Sequence, residues 1–208
     1  LFFAIMGNIF TALMPQSRDA LIQSMTVMGV SMGALIGVPP VLVEIYGTDV
    51  RKMYQAGGAP LCFGLLSMLL SAFLHLLIMS GIMFAAAEAL FDAKVPEHLP
   101  GYFLTLALFI GASLSLAAVL GLLVKSQAKL TMYCQLLFLP SIMLSGIMFP
   151  AQLLPDALEK LGRLFPATWG YQLLGGGEAA LSGYALLLTV LAGAAGLCCL
   201  LLRRSRCT

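Results

Sequence analysis

Charge is what this sequence has least of. Lysine, arginine, aspartate and glutamate make up 10% of its 208 residues, against about 25% in water-soluble domains. With 61% of the residues hydrophobic, there is too little polar surface to cover a core of this size. A water-soluble fold is therefore excluded, and lipid must solvate part of the chain. No polar stretch between the apolar blocks is long enough to form a separate soluble unit, so residues 1–208 read as one membrane domain. A net charge of +2 makes no case for a nucleic-acid partner, and none is expected.

Other scarcities narrow the chemistry. The cysteines (Cys62, Cys134, Cys198, Cys199 and Cys207) form no C-x-x-C and no zinc spacing. Four of them lie in or beside apolar blocks, where cysteine behaves as a small hydrophobe. No metal site is expected. Gly175-Gly176-Gly177 is followed by no Gly-Lys-Ser/Thr, so it is not a phosphate loop. The stretch Gly111-Ala112-Ser113-Leu114 has the look of an intramembrane serine nucleophile. However, His75 and His98 both precede it and no histidine follows. No catalytic residue is assigned. No basic segment precedes an apolar run with a cleavage site. The opening run, Leu1–Met14, would rise about 21 Å as a helix, short of the roughly 30 Å hydrocarbon core. The first span is expected to be truncated at its N-terminus.

What is present is a series of apolar blocks: Ile22–Val43, Pro60–Ala87, Gly101–Val124, Leu130–Phe149 and Ser182–Leu202. Each is about 20 residues or longer, the length of a spanning helix. Strand alternation is absent, and backbone groups in lipid must be satisfied within the segment, so the expected fold is all-α. With the opening run, the blocks make about six transmembrane helices.

Orientation follows from lysine and arginine. One face collects Arg51, Lys52, Lys125, Lys129, Arg203, Arg204 and Arg206, with only Glu44 and Asp49 among them. The other carries Arg18, Lys94, Lys160 and Arg163 among a larger number of carboxylates. The first face is expected in the cytoplasm, with the C-terminus on that side. Tyr102, Tyr133, Trp169 and Tyr184 fall near span ends, as interfacial aromatics do.

Three local patterns deserve a role. Gly29, Gly33 and Gly37 recur every four residues and put a smooth ridge on one helix face, suited to packing within the chain or to a subunit interface. In the loop Glu44–Gly58, Thr48 suits a helix cap with Asp49 in the first turn, and Gly57-Gly58 with Pro60 would stop it. Val50, Met53 and Tyr54 share one face there, leaving Arg51, Lys52 and Gln55 elsewhere. Such a short amphipathic helix either docks on a partner or lies on lipid headgroups.

The third pattern is Pro150–Ala180, longer than a simple connection needs. Pro155 suits a first helical position, with Asp156 and Glu159 in the first turn. Leu154, Leu158, Leu161 and Phe165 form an apolar stripe, and Asp156–Lys160 and Glu159–Arg163 are i, i+4 opposite-charge pairs. Pro166 ends this helix, and a second apolar stretch, Thr168–Leu174, runs to the glycines. The expectation is a re-entrant helical hairpin on the external side, either closing a pathway or anchoring at the interface. His75, Gln135 and Glu88 are the polar groups at or near lipid depth.

The segment Leu144–Trp169, LSGIMFPAQLLPDALEKLGRLFPATW, resembles a motif of the type 2 permease family of ATP-binding-cassette transporters. Ser145-Gly146, Phe149-Pro150, Pro155 and Pro166 carry the likeness. Glu44-x-x-Gly47-Thr48, closing at Pro60, is similar to that family's loop after the second span. The stretch from Gly47 to Pro60 departs by about one extra helical turn, and the family's N-terminal interfacial helix is missing. The resemblance implies a permease in the plasma membrane that pairs with a second copy and two cytoplasmic ATPase subunits. Those subunits, not this chain, would bind ATP and Mg. It also implies that Glu44, Gly47, Thr48, Asp49, Arg51, Lys52 and Tyr54 form the coupling helix. Pro150, Pro155, Leu158, Leu161, Pro166 and Trp169 would belong to an external gate.

Other classes compete less well. A lipid-modifying membrane enzyme lacks a polar cluster, and an ion-coupled carrier or channel lacks intramembrane charge. A scaffold or sensor using the same fold without transport stays open on residues alone.

Overall fold

A computed structural model describes residues 20–47, 61–91, 96, 98–124, 126–147, 155–176 and 180–206. Its elements are α1 (Leu21–Met32), a π-helical segment (Gly33–Gly37), α2 (Val38–Gly47), α3 (Leu61–Phe91), α4 (Leu99–Leu123), α5 (Gln127–Met143), α6 (Asp156–Gly162), α7 (Pro166–Leu174) and α8 (Ala180–Arg206). No strand occurs among the described residues.

Four of these stretches are long and apolar enough to cross a bilayer: Leu21–Ile45, Phe63–Leu90, Leu99–Leu123 and Leu181–Leu202. At 1.5 Å per residue the 31 residues of α3 rise about 46 Å, beyond the roughly 30 Å core. The 17 residues of α5 rise only about 26 Å. Pro140 lies inside it, and Leu144 closes it by donating its N–H to Pro140 O at 2.9 Å. Gly146 then turns the chain with φ +91°, a conformation that a side chain disfavours. The expected block Leu130–Phe149 is thereby corrected: its helix starts at Gln127, placing Lys129 on a helix, and ends at Met143. The run Leu1–Met14 lies outside the described residues.

Residues 21–47 form one continuous rod interrupted by the π-helical segment. Pro39 and Pro40 explain the interruption. Neither has an N–H for the carbonyl four residues back, and each ring would collide with that carbonyl in a regular α-helix. Widening the turn at Gly33–Gly37 relieves the collision without breaking the rod. The helix then continues through Gly47, so Glu44 and Gly47 sit on its last turns, not in the loop expected from Glu44 onward.

α4 is the centre of the bundle. Leu106, Phe109, Ile110, Ala112, Ala117 and Ala118 along it are fully buried. Around it stand α1–α2, α3, α7 and α8. α3 and α8 are peripheral, with 17% and 22% of their spanning windows buried against 61% for α4. Phe63, Leu66, Leu70, Leu74, Ile78 and Ile82 of α3 all face outward. An apolar belt of this extent is what lipid covers.

The glycine ridge has unequal surroundings. A Cβ on Gly29 would meet Met83 Sδ at 3.2 Å, and one on Gly33 would meet Leu76 Cδ2 at 2.5 Å. Gly29 of α1 and Gly33 of the π-helical segment thus let this rod approach α3 within the chain. Around Gly37 there is open space.

Candidate functional site

The segment with the most specific sequence signal folds as two short helices, α6 and α7, joined by a tight turn. Pro155, extended at φ −56° and ψ 145°, precedes α6 instead of opening it. Its carbonyl accepts the N–H groups of Leu158 and Glu159. Pro166 opens α7, where a missing N–H costs nothing. The turn is held by side chains: Thr168 Oγ1 donates to Gly162 O at 2.6 Å and Trp169 Nε1 donates to Arg163 O at 2.6 Å. Arg163 also pairs with Glu159 at 2.7 Å on the exposed side. Asp156, expected to pair with Lys160, has a side chain outside the described set.

α7 is wedged among the spans. Gly170 lies so close to Phe109 of α4 that a Cβ would come within 2.7 Å of the ring. Phe109 is ten residues beyond Leu99, the start of α4, or about 15 Å along the helix. α7 therefore packs well below that end of the bundle. On another side Gly183 of α8 packs on Trp169 and Leu173, with its Cβ position 3.0 Å and 3.1 Å away. Pro166 and Thr168 are buried and Trp169 is half-buried. Leu158 and Leu161, by contrast, are 39% and 50% exposed, so the α6 stripe faces away from the bundle. Pro150 lies outside the described residues.

The loop expected to meet a partner is represented by its start alone. Glu44 is exposed near the end of α2 and Gly47 is its last residue. Thr48, Asp49, Arg51, Lys52 and Tyr54 lie outside the described residues. His75 and Gln135 are exposed on α3 and α5, and Glu88 is exposed near the end of α3. The structure does not bring these three together. Among the described residues no three His, Cys, Asp or Glu side chains cluster as metal ligands do.

One polar arrangement escaped the sequence reading. Thr26 of α1 and Tyr102 of α4 share a hydrogen bond of 3.0 Å between their hydroxyls. Thr105 Oγ1 donates to Gly101 O at 2.8 Å and lies 2.6 Å from Tyr184 OH of α8. Since the Thr105 proton is already committed, Tyr184 is the donor in that pair. Phe84 of α3 tilts against Tyr102 at 5.4 Å. Tyr102, expected near a span end, is thus turned inward against its neighbouring helices and 5% exposed. The available signal was a hydroxyl in the first turns of three different apolar blocks.

A family model described as "ABC-2 family transporter protein" matches residues 61–201. The matched range includes Leu144–Trp169, with its proline-bounded helix pair, but not Glu44-x-x-Gly47-Thr48. No curated protein and no solved structure matches the chain. The family match spans well over half of the sequence and falls on a bundle that is all-helical among the described residues and carries an outward-facing apolar belt. The chain accordingly belongs to the ABC-2 transporter family, as a transmembrane permease.

Proposed function

We propose that this chain is the permease subunit of an ATP-driven exporter. Two copies form the membrane unit, and two cytoplasmic ATP-binding-cassette ATPase subunits bind ATP and Mg and drive it. The observation that carries the proposal is α7 wedged against Phe109, with α6 lying outside it, in a chain whose family is that of ABC-2 permeases. A short helix packed between spans at that depth, led in by an exposed one, is suited to a re-entrant external gate that closes one end of a pathway. The proposed topology has six spans in the plasma membrane with both termini in the cytoplasm. The asymmetry of lysine and arginine supports it. The segment from Glu44 through Thr48, Asp49, Arg51 and Lys52 to Tyr54 then faces the ATPase as a coupling helix. With so few intramembrane charges, the cargo suited to such a path is amphipathic or hydrophobic.

Co-expression with an ATP-binding-cassette ATPase and purification through a tag on the permease tests this reading. The expected result is a complex holding two of each chain that moves substrate into inside-out vesicles only with ATP. A permease that folds and inserts but never retains an ATPase would refute it.

A further inference from the structure

We propose that Thr26, Tyr102, Thr105 and Tyr184 form a clasp that holds the outer ends of the spans closed. This rests on the reading above, in which the α6–α7 end of the bundle is external. The four residues tie α1 and α8 to the first turns of α4 through hydroxyl pairs of 3.0 Å and 2.6 Å. Thr26 and Thr105 are 1% exposed and Tyr102 is 5% exposed, so water does not compete for the Thr26–Tyr102 bond in the closed bundle, while the Thr105–Tyr184 bond is partly buried at the side of Tyr184. Phe84 covers Tyr102 from α3 at 5.4 Å, and Phe103 stands 5.9 Å from Phe84. Four spanning elements thus meet at one hydroxyl and aromatic cluster.

The other end of the bundle is built differently. There Val43, Leu130 and Cys134 pack with Leu120 and Val124, and Leu42 fills the space left by Gly121. Apolar contacts of that kind slide and readjust. A buried hydroxyl pair is either made or broken: parting Thr26 from Tyr102 without water costs both their shared bond, and parting Tyr184 from Thr105 costs the tyrosine its acceptor while Thr105 keeps its bond to Gly101 O. Entering water would satisfy those groups as the spans part, so the clasp favours a shut state and an open state over anything between. The gate helices reach it directly: Trp169 and Leu173 pack on Gly183, the residue beside Tyr184. Movement of α7 therefore bears on the donor of the Thr105 bond. Thr26, Tyr102, Thr105 and Tyr184 are positioning residues for transport; nothing in the proposal has them touch cargo.

The test uses the full chain with its native cysteines replaced and a single cysteine at Leu106, a fully buried residue one turn beyond Tyr102. A membrane-impermeant maleimide is applied to intact cells and, separately, to inside-out vesicles. Tyr102→Phe and Tyr184→Phe should each raise labelling from outside about threefold, and together about tenfold, the scale of one or two interhelical hydrogen bonds in a membrane. Thr26→Val should act like Tyr102→Phe, and Thr26→Ser should restore the slow parental rate. If the double variant does not insert, the single variants carry the test. Unchanged labelling in Tyr102→Phe and Tyr184→Phe overturns the clasp. So does an equal rise at a control cysteine placed at Leu130, which would report general loosening. A rise confined to inside-out vesicles overturns its external placement. Labelling needs no ATPase, so a responsive clasp in a complex that never transports would count against the exporter reading alone.

Discussion

Single glycines in this bundle do unequal work, and the distance to the nearest fixed atom ranks them. A Cβ at Gly170 would sit 2.7 Å from the Phe109 ring, which is itself fully buried and has nowhere to go. Gly170→Ala should cost about 1–3 kcal/mol, the range for overpacking a filled core, and should lower the unfolding temperature in detergent. At Gly33 the obstacle is the Leu76 Cδ2 atom, the end of a flexible chain, so alanine there should cost less. Gly37→Ala meets open space and should shift stability by under about 0.5 kcal/mol. An unfolding series in which Gly37→Ala is the worst of the three would contradict this packing. The every-fourth-residue spacing of Gly29, Gly33 and Gly37 was plain in the sequence. That Gly170 faces a more rigid neighbour than any of them was not, because its constraint comes from Phe109, 61 residues away in sequence.

Among elements, the long spans were legible because length and lack of charge suffice to define them. Block ends were less so. Val43 looked like the end of the second block because Glu44 follows it, yet a single carboxylate near an interface does not stop a helix, and α2 runs on to Gly47. Phe149 looked like the end of the fifth block because hydropathy continues to it. Pro140 and the positive φ of Gly146 end the helix sooner. α6 was foreseen with its Glu159–Arg163 pair, which is solvent-exposed and bonded at 2.7 Å. Pairs of this kind contribute about 0.3–0.5 kcal/mol, so Glu159→Gln should leave the unfolding temperature within about a degree or two. For the segment proposed to couple to the ATPase the expected effect is functional: charge reversal at Arg51 and Lys52 should leave ATP hydrolysis in the complex while transport falls. Unchanged transport per ATP would remove that assignment.

For the molecule as a whole, hydropathy distinguished membrane from water but not centre from rim. α3 and α4 are both strongly apolar, yet α4 is enclosed and α3 is largely open. The difference lies in what each meets: small residues such as Ala112, Ala117 and Ala118 let neighbours close around α4, whereas leucines, isoleucines and a phenylalanine project from α3. The hydroxyl cluster at one end was hidden for the same reason, since it needs residues from three separate blocks. The sidedness proposed from the basic residues makes a direct prediction. A cysteine beside Lys52 should react with an impermeant reagent in inside-out vesicles and stay unreacted in intact cells. Reaction from the cell exterior would invert the entire topology.

The widened turn at Gly33–Gly37 divides the rod from Leu21 to Gly47 into two arms. One arm bears Thr26 and the other bears Glu44. If an ATPase presses on the arm that bears Glu44, as proposed, the thrust need not arrive at the other arm as a straight push, because the joint between them lacks the bonds that Pro39 and Pro40 cannot make. The joint falls near the middle of the rod, where a bend would let its two arms move separately. Straightening it with Pro39→Ala and Pro40→Ala would stiffen the linkage, and the timing between the two ends of the permease would change even with every contact at those ends intact.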